Sequence, residues 1–260
     1  MVLVQNLKMI TELYLDGLNI SAQGKEWCHA LLSSLPNLRV LSMSRCYLSG
    51  PIHSSLAMVR SLSVIRLDMN NLSTSIPEFF ANFSNLTSLH LSFCDLHARF
   101  PENIFQVTTL QTLDISENQL LNGLLPLLPE NSSLQTLLLS HTNFSGPLPP
   151  SISNLKLSML KLDRCYFSGP LPNSLAKLTE LVELDLSTNG FVGPIPSFTL
   201  LKKLVNLNLA HNFLTGSILS IDWEAFQNLR NIELNNNSFS GCIPLALLNI
   251  PELQKIILSQ

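Results

Sequence analysis

Histidines and aspartates are the side chains of this sequence that could perform catalysis or bind a metal ion. The six histidines are scattered, and none lies in an H-E-x-x-H pattern or a comparable cluster. No G-x-S-x-G, P-loop or G-x-G-x-x-G pattern occurs. Aspartates recur singly, at positions that serine occupies elsewhere in a repeating pattern, and form no poised pair. The sequence therefore predicts no enzyme, no cofactor and no metal site.

The cysteines number five, which would leave one unpaired thiol in a secreted disulfide protein. Cys46, Cys94 and Cys165 occupy the same position in separate repeats, whereas zinc needs closely grouped ligands. We therefore predict buried, unpaired thiols. Cys28 and Cys242 have no evident partner.

Asparagine could carry another chemistry, N-glycosylation, wherever it lies in an N-x-S/T triplet. Chance would produce roughly four such triplets in a chain this rich in Asn, Ser and Thr, so each remains a hypothesis. Asn82 and Asn85 are too close for full occupancy of both. The candidate sites are Asn19, Asn71, Asn82, Asn85, Asn131, Asn143 and Asn236.

The pattern L-x-x-L-x-L-x-x-N/C-x-L repeats along the whole chain. Its first apolar positions are 23 to 28 residues apart, which is typical of leucine-rich repeats and not of a domain with one central core. We therefore predict an α/β-type repeat solenoid: one continuous array over residues 1–260, of about eleven repeats. Those first positions are Ile10, Leu38, Leu62, Leu86, Leu110, Leu134, Leu157, Leu181, Leu204, Leu229 and Leu253.

Each repeat predicts one short strand, because apolar and polar residues alternate around its second and third leucines. Stacked repeats would pair these strands in a parallel sheet. The chain must then turn inside the stack, where Asn can satisfy buried backbone groups with both an acceptor and donors. This predicts a ladder from repeat to repeat, with Cys or Thr as partial substitutes, at Cys46, Asn70, Cys94, Asn118, Thr142, Cys165, Asn189, Asn212 and Asn237.

An L-x-G-x-I-P pattern fills the second half of several repeats, as in Gly193-Pro-Ile-Pro196. It resembles the plant-specific class of leucine-rich repeats. This resemblance implies a right-handed superhelix with a concave parallel sheet, an added short strand and a convex side of 3₁₀ turns and short helices. The first repeat is irregular, with an insertion at 21–35 in which Glu26 to Leu35 reads as a short helix.

Composition narrows the classes of partner. A net charge of −3 gives no basic surface, so nucleic acid is not an expected partner. The N-terminus does not read as a signal peptide, and no stretch of 18 or more apolar residues occurs. Both termini lack the polar caps that a solenoid needs, so we expect the chain to be a fragment.

Several strings go beyond the repeat consensus: Glu12-Leu-Tyr-Leu-Asp-Gly17, Phe80-Ala-Asn-Phe-Ser-Asn-Leu-Thr87 and Ile104-Phe-Gln-Val107. They resemble the Verticillium-wilt resistance receptor-like proteins of tomato and its relatives. That resemblance implies a longer secreted ectodomain, a membrane helix outside this segment, and no kinase. It places the protein at the extracellular face of the plasma membrane, signalling through co-receptor kinases.

The exposed strand positions vary while the leucines beside them do not. One such column begins with Tyr14 and Ser42 and continues through one residue of each repeat to Ile257, and a second lies at the strand ends. Exposed Arg, Met and Phe on a rigid concave sheet are typical of protein interfaces, although simple drift would also vary them. We predict that a protein or peptide ligand contacts Arg45, Arg66, Met69, His90, Phe93, Asp114, Glu117, His141, Lys161 and Arg164.

The sequence thus favours part of the ligand-recognition domain of a plant cell-surface receptor-like protein in defence. The alternative is a secreted, polygalacturonase-inhibitor-like protein directed against a microbial wall-degrading enzyme. Disulfide-bonded caps would favour the inhibitor, and this chain has neither cap sequence.

Overall fold

The computed structural model describes residues 7–259. The chain divides into two units, Met1–Gly123 and Leu124–Gln260, which are described in turn. Residues 1–6 and 260 of the predicted array lie outside the described part. That both units form one continuous array stays a prediction.

The first unit is built from short parallel strands, one or two to a repeat. Its main sheet pairs β1, β2, β3, β4 and β6 in that order, and β5 pairs with β7 in a second sheet. The central residue of each main-sheet strand is buried, from Leu13 to Leu113, because one face of the sheet covers the core. The strands are β1 (Glu12–Tyr14), β2 (Val40–Ser42), β3 (Val64–Arg66), β4 (Ser88–His90), β5 (His97–Arg99), β6 (Thr112–Asp114) and β7 (Asn118–Gly123).

The irregular first repeat contains the predicted helix, α1, at Gly24–Ser34. Trp27 and Leu31 are completely buried and anchor it to the core. The helix begins two residues earlier than predicted, with Glu26 accepting a hydrogen bond from the N-cap Gln23 N at 3.3 Å. The Gly24 N–H, which has no partner within the helix, donates to Ser49 O of the next repeat at 2.8 Å. A Cβ on Gly24 would lie 1.7 Å from Pro51 O, so only glycine fits. The other repeats of this unit cross the opposite side as 3₁₀ turns, at Ser54–Met58, Glu78–Asn82 and Glu102–Gln106.

The second unit repeats this plan with a more regular second sheet. Strands β8, β10, β12, β14, β16 and β18 pair in order, and β9, β11, β13, β15 and β17 form the second sheet. The strands are β8 (Thr136–Leu138), β9 (Thr142–Gly146), β10 (Met159–Lys161), β11 (Tyr166–Pro170), β12 (Glu183–Asp185), β13 (Gly190–Pro194), β14 (Asn206–Asn208), β15 (Phe213–Ser217), β16 (Asn231–Glu233), β17 (Ser238–Ser240) and β18 (Lys255–Ile257).

The L-x-G-x-I-P segments supply the second sheet. Gly193 has φ +76° and no atom near its missing Cβ, so its backbone conformation, and not space, requires glycine. Turns and a short helix, α2, follow these segments at Pro150–Asn154, Asn173–Lys177, Ile218–Ser220, Trp223–Ala225 and Leu245–Leu248. The predicted repeat fold of parallel strands, added short strands and 3₁₀ turns is thus confirmed within each unit.

Candidate functional site

The third residues of the main-sheet strands form the first predicted column. In the first unit, Ser42, Arg66, His90 and Asp114 are direct register partners along β2, β3, β4 and β6. Arg66 is exposed, and His90 and Asp114 are half-buried. Ser42 differs from the expected exposed position: it is buried, and its hydroxyl donates to both carboxylate oxygens of Asp16 at 2.8 Å.

The second predicted column lies in the turns just after the strands, not at the strand ends. Arg45, Met69, Phe93 and Glu117 all have left-handed backbone, with φ between 52° and 58°. The N–H groups of Met69 and Phe93 donate to Ser92 O at 2.8 Å and Ser116 O at 3.1 Å in the next repeat. The backbone therefore fixes where these side chains leave the surface, and the sequence pattern did not reveal this conformation.

Tyr47, Met69 and Phe93 border an open groove of about 640 Å³ in the first unit. These residues are 67%, 41% and 51% exposed, which is unusual for residues of this size. Asn71 and Asp95 line the same groove. Two predicted contact residues and one predicted glycosylation site therefore share one surface.

Asp68 and Asp114 are held by serines near the strand ends. Asp68 Oδ1 accepts hydrogen bonds from Ser92 N and Oγ, both at 3.0 Å. Asp114 Oδ1 accepts from Ser116 N at 3.1 Å and Oγ at 2.6 Å. Asp and Ser share these positions in the repeat pattern, and the hydrogen bonds between the aspartate carboxylate and the serine fix the turn.

Asp68, His90 and Asp114 come together on this face. Each offers one ligand atom, and these atoms lie within 4.8 Å of one another. Burial lowers the pKa of His90, and Arg66 acts in the same direction, while Asp68 and Asp114 oppose the shift. Residues 22 and 24 positions apart meet because the repeat has that length, so a search for short motifs could not find them.

The remaining predicted contact residues lie in the second unit and are engaged with one another or with neighbours. Lys161 Nζ forms an ion pair with Glu183 at 2.7 Å. His141 Nε2 lies 3.1 Å from Arg164 Nη1 and 3.8 Å from Asp163 Oδ2. Here charged side chains of adjacent repeats pair, whereas Met69 and Phe93 of the first unit expose apolar surface.

The ladder residues lie behind these turns. Asn118 is buried; its Oδ1 accepts from Cys94 N and Leu96 N, and its Nδ2 donates to Leu91 O at 3.0 Å. Asn70, Asn189, Asn212 and Asn237 likewise bond to the preceding repeat. Cys46, Cys94 and Cys165 donate their thiols to carbonyls of the preceding repeat, and Thr142 donates to Leu139 O in its own.

The predicted glycosylation sites are mostly accessible. Asn143 lies half-buried in β9, while Asn82 ends a 3₁₀ turn. The exposed members are Asn19, Asn71, Asn82, Asn85, Asn131 and Asn236.

The family described as "Leucine Rich Repeat" matches residues 37–58, 61–83, 109–131 and 133–155. The chain is a leucine-rich-repeat solenoid. Its fold is that of ligand-binding receptor ectodomains, which are not enzymes.

Plant receptors are among the proteins it resembles. Receptor-like protein 54 of Arabidopsis thaliana is 42% identical over 73 residues, which is 28% of this chain and 9% of that protein. The ectodomain of the Arabidopsis membrane receptor kinase GASSHO1/SCHENGEN3, solved with CASPARIAN STRIP INTEGRITY FACTOR 2, is 32% identical with a TM-score of 0.87, covering 97% of this chain and 30% of its own. The plant peptide hormone receptor RGFR1, solved with RGF2, is 30% identical with a TM-score of 0.80, covering 96% and 43%.

The chain spans 7% to 15% of the length of four plant receptor-like proteins and receptor kinases that it matches. Among residues 7–259, no helix has the length and apolar character needed to cross a membrane.

Proposed function

We propose that this chain is part of the extracellular ligand-recognition region of a plant cell-surface receptor-like protein in defence signalling. The observation that carries the proposal is the face of the first unit. Arg66 and His90 project from paired strands, and Met69 and Phe93 project from turns whose backbone is fixed by the next repeat. Such a face presents side chains with little ordering cost on binding.

A protein or peptide is the ligand class that this face fits. The groove beside Met69 and Phe93 is open and elongated across repeats, unlike the enclosed cavity that a small molecule requires. The exposed Phe93 and Met69, with Arg45 Nε 2.8 Å from Met69 Sδ, combine apolar contact area with a charged hydrogen-bond donor, which is typical of interface anchors. Two similar solved structures hold a bound partner: RGFR1 holds RGF2, and GASSHO1/SCHENGEN3 holds CASPARIAN STRIP INTEGRITY FACTOR 2.

The defence role rests on the resemblance of the first half of the sequence to the Verticillium-wilt resistance proteins. A receptor without its own kinase would signal through co-receptor kinases at the plasma membrane. Glycans at Asn71 and Asn143 would support the extracellular assignment. Mass spectrometry of the chain made in a plant secretory pathway reads their occupancy directly, and unmodified peptides at both sites would count against it.

An alanine scan of the full-length receptor in leaf tissue tests the proposal. A fungal culture filtrate that triggers an oxidative burst through the receptor serves as the probe. Arg66→Ala and Phe93→Ala should each weaken ligand binding by about 2 kcal/mol, so the filtrate dose for half-maximal response should rise at least tenfold. Arg60→Ala is a matched control, because Arg60 is exposed beside a 3₁₀ turn of the same unit. Lys177→Ala serves as a control in the second unit.

The outcomes separate three readings. Loss with both face variants and none with Arg60→Ala supports recognition by this segment. Normal responses from the face variants would make the segment a scaffold, with recognition elsewhere in the receptor. Binding of a purified microbial polygalacturonase, with inhibition of its activity, would instead favour the secreted-inhibitor alternative.

The shared groove adds a test of its own. A glycan on Asn71 would cover Tyr47 and Met69, which line the same groove. Asn71→Gln should therefore change the response to the filtrate if the ligand enters the groove. Asn19→Gln, which removes a site in the first repeat, should leave it unchanged.

A further inference from the structure

Asp68, His90 and Asp114 form a cluster with a geometry that metal coordination can use. Their ligand atoms lie within 4.8 Å of one another, and all three side chains are half-buried. Ligand atoms bound at about 2.0–2.2 Å to one ion lie at most about 4.4 Å apart, so only a small adjustment of the side chains is needed. The three side chains come from consecutive repeats of one unit, so the sheet itself sets their spacing.

Both carboxylates are already oriented by hydrogen bonds. Asp68 Oδ1 is held by Ser92 and Asp114 Oδ1 by Ser116, in each case through a backbone N–H and a hydroxyl. Hydrogen bonds of this kind orient metal-ligating carboxylates and raise the affinity of a site. An ion would therefore meet two carboxylates with little freedom left to lose.

The imidazole of His90 provides the third group. Within the described residues its ring makes no hydrogen bond, although it is half-buried between two carboxylates. A neutral imidazole has a lone pair available for a metal ion. A polar ring so placed is better satisfied by an ion than by its present neighbours alone.

We propose that Asp68, His90 and Asp114 bind a divalent transition-metal ion, with Zn²⁺ as the ion that fits best. One imidazole nitrogen with two carboxylate oxygens suits Zn²⁺, whereas Mg²⁺ and Ca²⁺ prefer oxygen ligands alone. Three protein ligands leave at least one coordination position open toward the exposed face, as in zinc sites that exchange a ligand. This inference does not depend on the proposed receptor function.

The positive charge of Arg66 should weaken the binding of a cation at this site. Arg66 is exposed and acts on His90 from the neighbouring strand, so its charge opposes a cation there. Arg66→Ala should therefore strengthen Zn²⁺ binding several-fold. In the receptor assay the same substitution should weaken the response, so the two functions of this face are distinguishable.

The experiment is a calorimetric titration of ZnCl₂ into the 260-residue chain purified from a secretory host and freed of metal with chelator. We expect one saturable site, at least tenfold weaker in His90→Ala and in Asp114→Asn. Asp185→Asn is the matched control, because Ser187 N and Oγ hold that carboxylate at 3.0 and 2.7 Å in the same way, while its neighbour Asn208 is no imidazole. CaCl₂ should give no comparable heat.

X-ray absorption at the zinc edge completes the test. One imidazole nitrogen and the rest oxygen around the ion is the expected coordination shell, with the nitrogen lost in His90→Ala. The proposal is overturned by a titration without a saturable site. Equal affinity in wild type and both ligand variants would overturn it as well, since the ion would then bind elsewhere. Circular dichroism of each variant confirms that the fold is intact.

Discussion

The buried ladder differs between the two units. In the first unit, Asn alternates with Cys, and Asn118 Oδ1 accepts two backbone N–H groups, those of Cys94 at 3.1 Å and Leu96 at 2.9 Å. In the second unit, Thr142 and Cys165 are followed by three consecutive Asn positions, and Asn212 Oδ1 accepts one backbone N–H, from Phe191 at 3.0 Å. The other N–H, that of Asn189, donates instead to the backbone carbonyl of His211 at 3.2 Å.

The difference shows how a cysteine is accommodated in a position suited to asparagine. The thiol is a weak donor and offers no strong acceptor, so it satisfies little of the buried backbone around it. In the first unit the neighbouring Asn compensates by accepting both the cysteine N–H and the N–H two residues later. Asn189, which follows Cys165 in the second unit, accepts one backbone N–H, that of Phe167. Each Asn of the first unit should therefore contribute more to stability than each Asn of the second.

Replacing Asn118 by Ala should have the largest effect on stability. It leaves two buried N–H groups unpaired, each costing about 1–3 kcal/mol, so we expect a loss of about 3 kcal/mol or more. Asn212→Ala should cost roughly half as much because one N–H is orphaned. Urea unfolding of the intact chain measures both, with the exposed Gln119→Ala as control. Equal losses for the two Asn variants would refute the contrast.

Raising the pH should lower the stability of the chain through the buried thiol of Cys94. Burial raises the pKa of this thiol from its model-compound value of 9.0 to about 12. The unfolded state therefore loses its proton first, and the stability contributed by the neutral thiol, complete below pH 9, disappears as pH rises from 9 to 12. One pKa unit is worth about 1.4 kcal/mol, so the expected loss at pH 10 is about 1 kcal/mol.

Cys94→Ser removes this dependence. At pH 7 the substitution should cost less than Asn118→Ala, because the serine hydroxyl can still donate to Leu67 O, as the thiol does at 3.1 Å. Between pH 8 and pH 10 its free energy of unfolding should fall less than that of wild type. Parallel pH profiles for the two proteins would rule out this role for the thiol.

The smallest expected effect on stability concerns the second predicted column, whose residues have left-handed backbone in the turns after the strands. Thr188 in the second unit has φ 54°, a conformation that β-branched residues disfavour and asparagine tolerates. Thr188→Asn should stabilise by about 0.5 kcal/mol, whereas Glu117→Thr at the equivalent turn of the first unit should destabilise by about 1 kcal/mol. Thermal unfolding reads both. Thr179→Asn is the control for the substitution itself, since Thr179 has no left-handed backbone, and a matching gain there would remove the explanation.

The repeat length and the leucine positions predicted the strands of the main sheet, because the inward leucine of each strand can be buried only against the neighbouring repeats. Helix α1 begins at Gly24, where the close approach of Pro51 O leaves room only for glycine, a contact between repeats that no local pattern encodes. For the exposed face of the main sheet, the sequence predicted which residues share a column but not which side chains contact one another. The grouping of Asp68, His90 and Asp114 depends on the register of strands in neighbouring repeats, and the burial of Ser42 on its hydrogen bond to Asp16 of the preceding repeat. No local sequence pattern specifies either contact.

The left-handed turns have a consequence for how such a receptor could change its specificity. Because the Met69 and Phe93 N–H groups bond to the next repeat, proline is excluded there, and β-branched residues pay a conformational penalty. Arg, Met, Phe, Glu and His all occupy this column and leave the backbone unmoved. Single substitutions in this column can therefore change the binding surface without changing the backbone of the turn, but proline and β-branched residues are disfavoured.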